Sequence, residues 1–71
     1  MDGADVMRRA LDRLSEGQRQ VVVLRYYAQL SERETAEALG VPNGTVKSRL
    51  ARALDALAAD PGLAALSGGI A

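Results

Sequence analysis

The 71-residue sequence contains no cysteine, histidine, tryptophan or phenylalanine. Without cysteine the chain can form neither a disulfide nor a thiolate site. Without both cysteine and histidine, a zinc site would need carboxylates alone, and catalysis by an imidazole or thiol nucleophile is excluded. No apolar run approaches the roughly 18 residues that a membrane span needs, and residues 1–5 lack the apolar stretch of a signal peptide. These absences predict a soluble, cytoplasmic binding domain with no catalytic residue, metal or cofactor.

The residues that are abundant favour an all-α fold. Alanine and leucine are strong helix formers, and the glycines and prolines fall at a few points that divide the chain. The divisions predict four helices, at about residues 4–13, 16–29, 32–39 and 43–58. Residues 1–57 would form one small four-helix domain, and residues 59–71 a C-terminal tail that is flexible, forms a short turn of helix or docks on a partner. A run of three valines at 21–23 is typical of a strand, but no second strand pattern exists for it to pair with.

Helix boundaries are marked by capping signals. Two serines are followed three residues later by Gln or Glu, which is the pattern of a capping box. These pairs are Ser15 with Gln18 and Ser31 with Glu34. Gly40 follows the third helix, where a left-handed C-terminal cap is expected. Asp2 or Asp5 is the candidate cap for the first helix.

Apolar residues recur at helical spacing and predict the core. The expected inward positions are Met7, Ala10, Leu11 and Leu14; Val21, Val22, Leu24, Tyr26 and Ala28; Ala36 and Leu39; and Val46, Leu50, Ala53, Leu54 and Leu57.

Residues 31–54 have the spacing of a helix-turn-helix. Ala36 is small where two helices would cross, Gly40 supplies the turn, and Val46 would anchor the second helix against the first. A plain αα-hairpin that only packs a core would satisfy the same spacing.

The outward face of the fourth helix favours nucleic-acid binding over the plain hairpin. Residues 41–54 hold three basic residues and no acidic one. The N-terminal part of the second helix of a helix-turn-helix enters the major groove, which would bring Asn43, Lys47 and Ser48 nearest the base edges. Thr45, Arg49 and Arg52 would contact the backbone. For an isolated basic residue, a solvated surface charge is the ordinary alternative.

Residues 14–27 (LSEGQRQVVVLRYY) and 31–54 (SERETAEALGVPNGTVKSRLARAL) closely resemble region 4 of bacterial RNA polymerase sigma factors. The likeness is to the sigma-70 family, in particular its extracytoplasmic-function members, and covers about residues 5–57. It implies a four-helix domain whose last helix reads the promoter −35 element.

The resemblance also implies roles for individual residues. Base contacts would come from Asn43, Gly44, Lys47 and Ser48, and phosphate contacts from Thr45, Arg49, Arg52, Arg33 and Arg25. The implied partners are promoter DNA, the β flap of the RNA polymerase core, and an anti-sigma factor or other regulator. No small-molecule substrate and no membrane is implied.

Two departures from the sigma pattern are visible. The sequence contains no region 2, so we expect either an excised domain or a stand-alone relative. Pro42 stands where many members have a Ser or Thr cap, which predicts a looser start to the fourth helix.

Two alternatives remain at this stage. Output domains of LuxR-type regulators share a Thr-Val-Lys segment after a similar turn, although Ser48-Arg49-Leu50 fits the sigma pattern better. A protein-interaction module is the other alternative, since the formal net charge is zero. A neutral domain attracts phosphate weakly over long range, so we expect weak DNA binding by the isolated chain.

Overall fold

A computed structural model describes the backbone of residues 3–70 and the side chains of residues 3–65. Within residues 3–70 it is all-helical, which confirms the predicted fold class. The α-helices are α1 (Gly3–Arg13), α2 (Glu16–Val22), α3 (Glu32–Leu39), α4 (Asn43–Ala58) and α5 (Pro61–Ile70), and a π-helical turn (Val23–Tyr27) follows α2 directly. None of the helices in this part of the chain combines the length and apolar character needed to cross a bilayer.

The first helix begins at Gly3, close to the expected residue 4, so Asp5 does not occupy the N-cap position. Asp5 lies inside the first turn of α1, where its carboxylate pairs with Arg8 at 2.8 Å and Arg9 at 3.6 Å. The other candidate cap, Asp2, lies outside the described residues.

The predicted helix 16–29 is interrupted by the π-helical turn. The amide of Ala28 donates to the carbonyl of Val23 at 3.0 Å, five residues back, and Gln29 then adopts a left-handed φ of 59°. A π turn changes the angular spacing of the side chains that follow it. Tyr26 is therefore 51% exposed and Ala28 is exposed, so placing both in the core was wrong.

Both predicted capping boxes are present. The Ser15 hydroxyl accepts from the Gln18 amide and the Gln18 side chain accepts from the Ser15 amide, both at 3.3 Å. Ser31 and Glu34 form the same pair of bonds at 3.0 and 2.8 Å. The hydrogen bonds from the backbone and then the side chain of Ser31 lower the pKa of the Glu34 carboxyl.

The left-handed cap predicted at Gly40 is also present. Its φ is 68°, and the next amide, that of Val41, donates to the carbonyl of Ala36 at 3.0 Å. This geometry ends α3 and turns the chain into α4.

The core consists of two neighbouring clusters, one joining α1, α2 and α4 and the other joining α2, α3 and α4. Leu50 packs against both. The buried members are Leu11, Leu14, Val22 and Ala53 in the first cluster and Val21, Ala36 and Val46 in the second. Leu54 was expected in the core but is 42% exposed, since the buried stripe of α4 runs through Leu50, Ala53 and Leu57 and leaves it at the edge.

Residues 61–70 form a fifth helix of ten residues, whereas the sequence pattern predicted a tail from residue 59 with at most a short turn of helix. Asp60 caps this helix, because its Oδ1 accepts from the amides of Gly62 at 2.9 Å and Leu63 at 3.3 Å. Pro61 occupies the first helical position, where its missing N–H is no loss. Pro61 therefore starts a helix as well as following the end of α4 at Ala58.

An ion pair between exposed Arg13 and buried Asp60 joins the start of α5 to α1. Arg13 Nη1 lies 2.7 Å from Asp60 Oδ2, and the Asp60 side chain is only 5% exposed. The hydrogen bond from Arg13 is the main cause of the lowered pKa of the Asp60 carboxyl, against the opposing effect of burial. The pair helps hold α5 on α1, with which α5 packs.

Candidate nucleic-acid interface

The geometry of the candidate interface is set by the contact of α3 with α4. Val21, Ala36 and Val46 pack together and are almost fully buried. Thr35, also fully buried, satisfies its hydroxyl by donating to the Ser31 carbonyl at 2.8 Å. Ala36, where the helices cross, and Gly40, in the turn, thus occupy the positions that the helix-turn-helix spacing predicts.

The start of α4 carries no side-chain cap. Pro42 occupies the N-cap position, and its carbonyl accepts from the amides of Thr45 at 3.0 Å and Val46 at 3.3 Å. Asn43 and Gly44 follow as the first two helical residues, and both are exposed.

The four base-contact candidates share one exposed face of α4. Positions 43, 44, 47 and 48 are neighbours on adjacent helical turns. The exposed residues there are Asn43, Gly44, Lys47 and Ser48. A Cβ atom on Gly44 would meet nothing within 4 Å, so the space beside its backbone is open.

Two of the candidate cations have acidic partners on α3. Lys47 Nζ lies 4.0 Å from Glu32 Oε1, and this pair connects α4 to the start of α3. Arg33 Nε lies 3.4 Å from Glu37 Oε1, one turn along the same helix. Both cations are largely exposed, so neither pair buries its charge.

The remaining α4 candidates differ in exposure. Arg52 is exposed, whereas Thr45 and Arg49 are half-buried. The Arg49 side chain lies along the start of α2, since a Cβ on Gly17 would be 3.4 Å from its Nε. Arg49 and Arg52 therefore extend the positive charge along α4 beyond the four base-contact candidates.

Arg25 is engaged within the chain. Its Nη1 donates to the Leu30 carbonyl at 2.6 Å, and its Nε is buried without a hydrogen-bond partner in the described part of the molecule. The arginine thereby holds the turn that follows the π-helical segment. The structure thus does not group Arg25 with the α4 candidates.

Sequence reasoning missed Glu32 and Gly17 as neighbours of the α4 cations. No local pattern signals either contact, because each joins residues from different helices. Within residues 3–70 no group of three or more carboxylates is placed to hold a metal ion.

A second exposed feature lies toward the C-terminal half of α4. Tyr27 is 61% exposed, and an apolar groove runs between α1, the π-helical turn and the C-terminal half of α4. The residues that line this groove are Met7, Val22, Tyr26, Tyr27, Leu54 and Leu57. Tyr26 and Leu54, which the periodicity placed in the core, are part of this surface.

The packing of α3 on α4 and the exposed basic face of α4 define a helix-turn-helix domain. The family model described as Sigma-70, region 4 matches residues 4–57. The chain belongs to this family, which decides between the sigma and LuxR-type patterns in favour of sigma region 4.

Individual relatives agree with the family match. The chain is 58% identical over 45 residues to the RNA polymerase sigma-E factor of Streptomyces antibioticus, covering 63% of this chain and 25% of the relative. It is 61% identical over 41 residues to the protein of the same name from Streptomyces coelicolor, covering 58% and 23%. With the ECF RNA polymerase sigma factor RpoE of Cereibacter sphaeroides it is 45% identical over 49 residues, covering 69% and 27%. The chain thus matches about a quarter of the length of these relatives.

Proposed function

We propose that this domain binds the promoter −35 element through α4, as part of a sigma factor that directs RNA polymerase in transcription initiation. The observation that carries the proposal is the exposed face of Asn43, Gly44, Lys47 and Ser48 at the start of α4. That part of the second helix of a helix-turn-helix lies in the major groove. The relatives named as RNA polymerase sigma factors support the transcriptional role.

Each exposed side chain suits a defined part of a DNA duplex. Asn43 can pair with adenine N6 and N7, Lys47 can donate to guanine O6 and N7, and Ser48 accepts several partners. Gly44 lets the helix backbone approach the bases closely. Thr45, Arg49, Arg52 and Arg33 would contact phosphates on either side.

We assign Arg25 no direct DNA contact in this proposal. Its guanidinium already donates to the Leu30 carbonyl, and a phosphate contact would require that hydrogen bond to be given up or shared.

The DNA proposal is tested by binding the 71-residue chain to an array of duplexes that present all six-base sequences at low salt. We expect preference for one motif, and a log–log salt slope of about −3 if Arg33, Arg49 and Arg52 each neutralise one phosphate. Lys47→Ala should lower affinity for the preferred motif by about 1–3 kcal/mol and flatten the preference at one position.

Arg52→Ala and Arg8→Ala are the matched comparisons. Arg52→Ala should weaken binding to every duplex by a similar factor, whereas Arg8→Ala removes an exposed arginine from α1 and should leave the motif preference unchanged. Equal effects of Lys47→Ala and Arg52→Ala on every sequence would remove the base-reading role of Lys47.

We propose as a second function that the apolar groove docks on the β flap of the RNA polymerase core. The observation that favours it is the exposure of Tyr26, Tyr27 and Leu54 side by side, since contiguous apolar surface marks interaction sites. An anti-sigma factor is the competing occupant.

Binding of the chain to immobilised core polymerase tests the groove. Tyr27→Ala combined with Leu54→Ala should weaken binding about tenfold or more, as expected for exposed anchor residues, while DNA affinity stays unchanged. Lys47→Ala should weaken DNA binding and leave polymerase binding unchanged. Undiminished polymerase binding by the double variant would reject the flap, and tight groove-dependent binding of an anti-sigma factor alone would assign the surface to that partner.

A further inference from the structure

We infer that Glu32 determines how Lys47 engages DNA, by acting as an internal counter-charge that reduces binding to phosphate. The inference deepens the proposed DNA binding and rests on it. Glu32 belongs to neither set of DNA-contact candidates. It is on α3, yet its carboxylate Oε1 lies 4.0 Å from Lys47 Nζ on α4.

The other glutamates of α3 have different partners. Glu34 accepts the hydrogen bond from the Ser31 amide in the capping box, and Glu37 pairs with Arg33 along the same helix. Glu32 is therefore the α3 carboxylate whose contact crosses the turn and reaches the exposed face of α4.

Glu32 and Lys47 differ in the exposure of their side chains. The Glu32 side chain is 32% exposed, whereas that of Lys47 is 72% exposed. The more enclosed carboxylate stays at the start of α3, next to the positive end of the helix dipole, while the long lysine side chain can move. Formation of a DNA contact therefore means that Lys47 leaves Glu32.

This arrangement affects the two kinds of DNA contact differently. Beside phosphates, the negative charge of Glu32 offsets the attraction that Lys47 would otherwise provide. A guanine edge carries no net charge for Glu32 to repel, and it offers Lys47 two close acceptors in place of an exposed ion pair at 4.0 Å. Glu32 therefore weakens sequence-independent binding more than binding to the preferred motif.

Glu32→Gln removes the charge and keeps the shape of the side chain. We expect it to raise affinity for non-preferred duplexes about two- to fivefold at low salt, the range of an exposed ion pair, with a smaller gain on the preferred motif. The salt slope should steepen by about 0.9, which corresponds to one additional neutralised phosphate.

A double-mutant cycle separates this role from a general change in charge. Asp12→Asn removes one exposed acidic charge from α1 and is the matched control. In a Lys47→Gln background, Glu32→Gln should produce no more than the small effect of Asp12→Asn. If Glu32→Gln gives the same gain with and without Lys47, or no more gain than Asp12→Asn in the wild-type background, the inference is rejected.

Heparin elution keeps the test independent of base reading. Heparin is a polyanion without bases, so Glu32→Gln should elute at higher salt than Asp12→Asn whether or not the chain prefers a DNA motif. A wild-type chain without motif preference would overturn the proposed promoter function. Equal elution of the two variants would overturn the role of Glu32. Circular dichroism melts of both variants establish that the compared proteins are folded.

Discussion

Truncation of two leucines on α4, four residues apart, gives the most direct test of the packing. Leu50 packs against both core clusters, whereas Leu54 is 42% exposed at the edge of the apolar groove. Leu50→Ala and Leu54→Ala remove the same atoms from the same helix at similar helix propensity. The difference in unfolding free energy between them therefore measures burial at the two sites.

The expected magnitudes follow from the atoms removed. Each substitution deletes three carbons, worth about 0.8 kcal/mol apiece when buried, and a core site adds a cavity term. Leu50, which is the more buried of the two, should thus lose about 2–3 kcal/mol, and Leu54 about 1 kcal/mol. A domain of this size has a total stability of about 4–10 kcal/mol, so the loss at Leu50 is a large part of it.

Urea and thermal unfolding followed by circular dichroism measure both values. At about 4–8 °C per kcal/mol, the midpoint should fall about 10–20 °C for Leu50→Ala and about 4–8 °C for Leu54→Ala. Equal midpoints, or a larger loss at Leu54, would mean that the face of α4 is assigned wrongly and that the two clusters are not joined through Leu50.

Two further predictions concern the ends of helices. Because the folded pKa of Asp60 is lowered, its stabilising contribution is present above the unfolded value of about 4 and is lost as pH falls through the lower folded value. Asp60→Asn should therefore lower the melting midpoint near pH 7 and reduce its fall below pH 4; an unchanged acid profile would contradict the role of the Arg13 pair. At Gly40, φ is 68° and no atom crowds a Cβ, so Gly40→Ala should destabilise by about 1–2 kcal/mol through the backbone alone. Gly44→Ala is the matched control, since at this open helical position alanine should stabilise by about 0.5–1 kcal/mol; the same sign for both would refute the left-handed assignment.

The local features of the fold were predictable because their causes are local. Ser15 and Ser31 cap helices through residues three positions away, and Gly40 is followed by a chain reversal that needs a left-handed residue. A sequence pattern contains both partners of such interactions. The sequence alone therefore predicts the helix-turn-helix.

The errors arise where geometry departs from a uniform helix. Tyr26 was placed inward by counting 100° per residue, but the π-helical turn changes the count from Val23 onward. The Asp60-Pro61 pair is a recognised helix start, yet the glycine that follows favoured a break. The Asp60 carboxylate that caps this helix is paired with Arg13, 47 residues away, and no local pattern signals that partner.

The candidate site likewise contains features that the sequence predicts and contacts that it does not predict. The exposed face at positions 43, 44, 47 and 48 follows from the period of one helix. The pairing of Lys47 with Glu32 and the packing of Arg49 beside Gly17 depend on how separate helices meet. The residues of the reading face were therefore predictable, whereas the neighbours that adjust them were not.

The open space around Gly44 makes the proposed recognition separable from the fold. Its helical backbone accepts an L-residue, and a side chain added there would meet no atom within 4 Å. A side chain added at this position would thus hold the helix backbone farther from the bases in the proposed DNA complex, without disturbing the packing of Val46 two residues later. Gly44 is therefore a position at which substitution can change the distance between the proposed reading face and DNA while the core sequence stays the same.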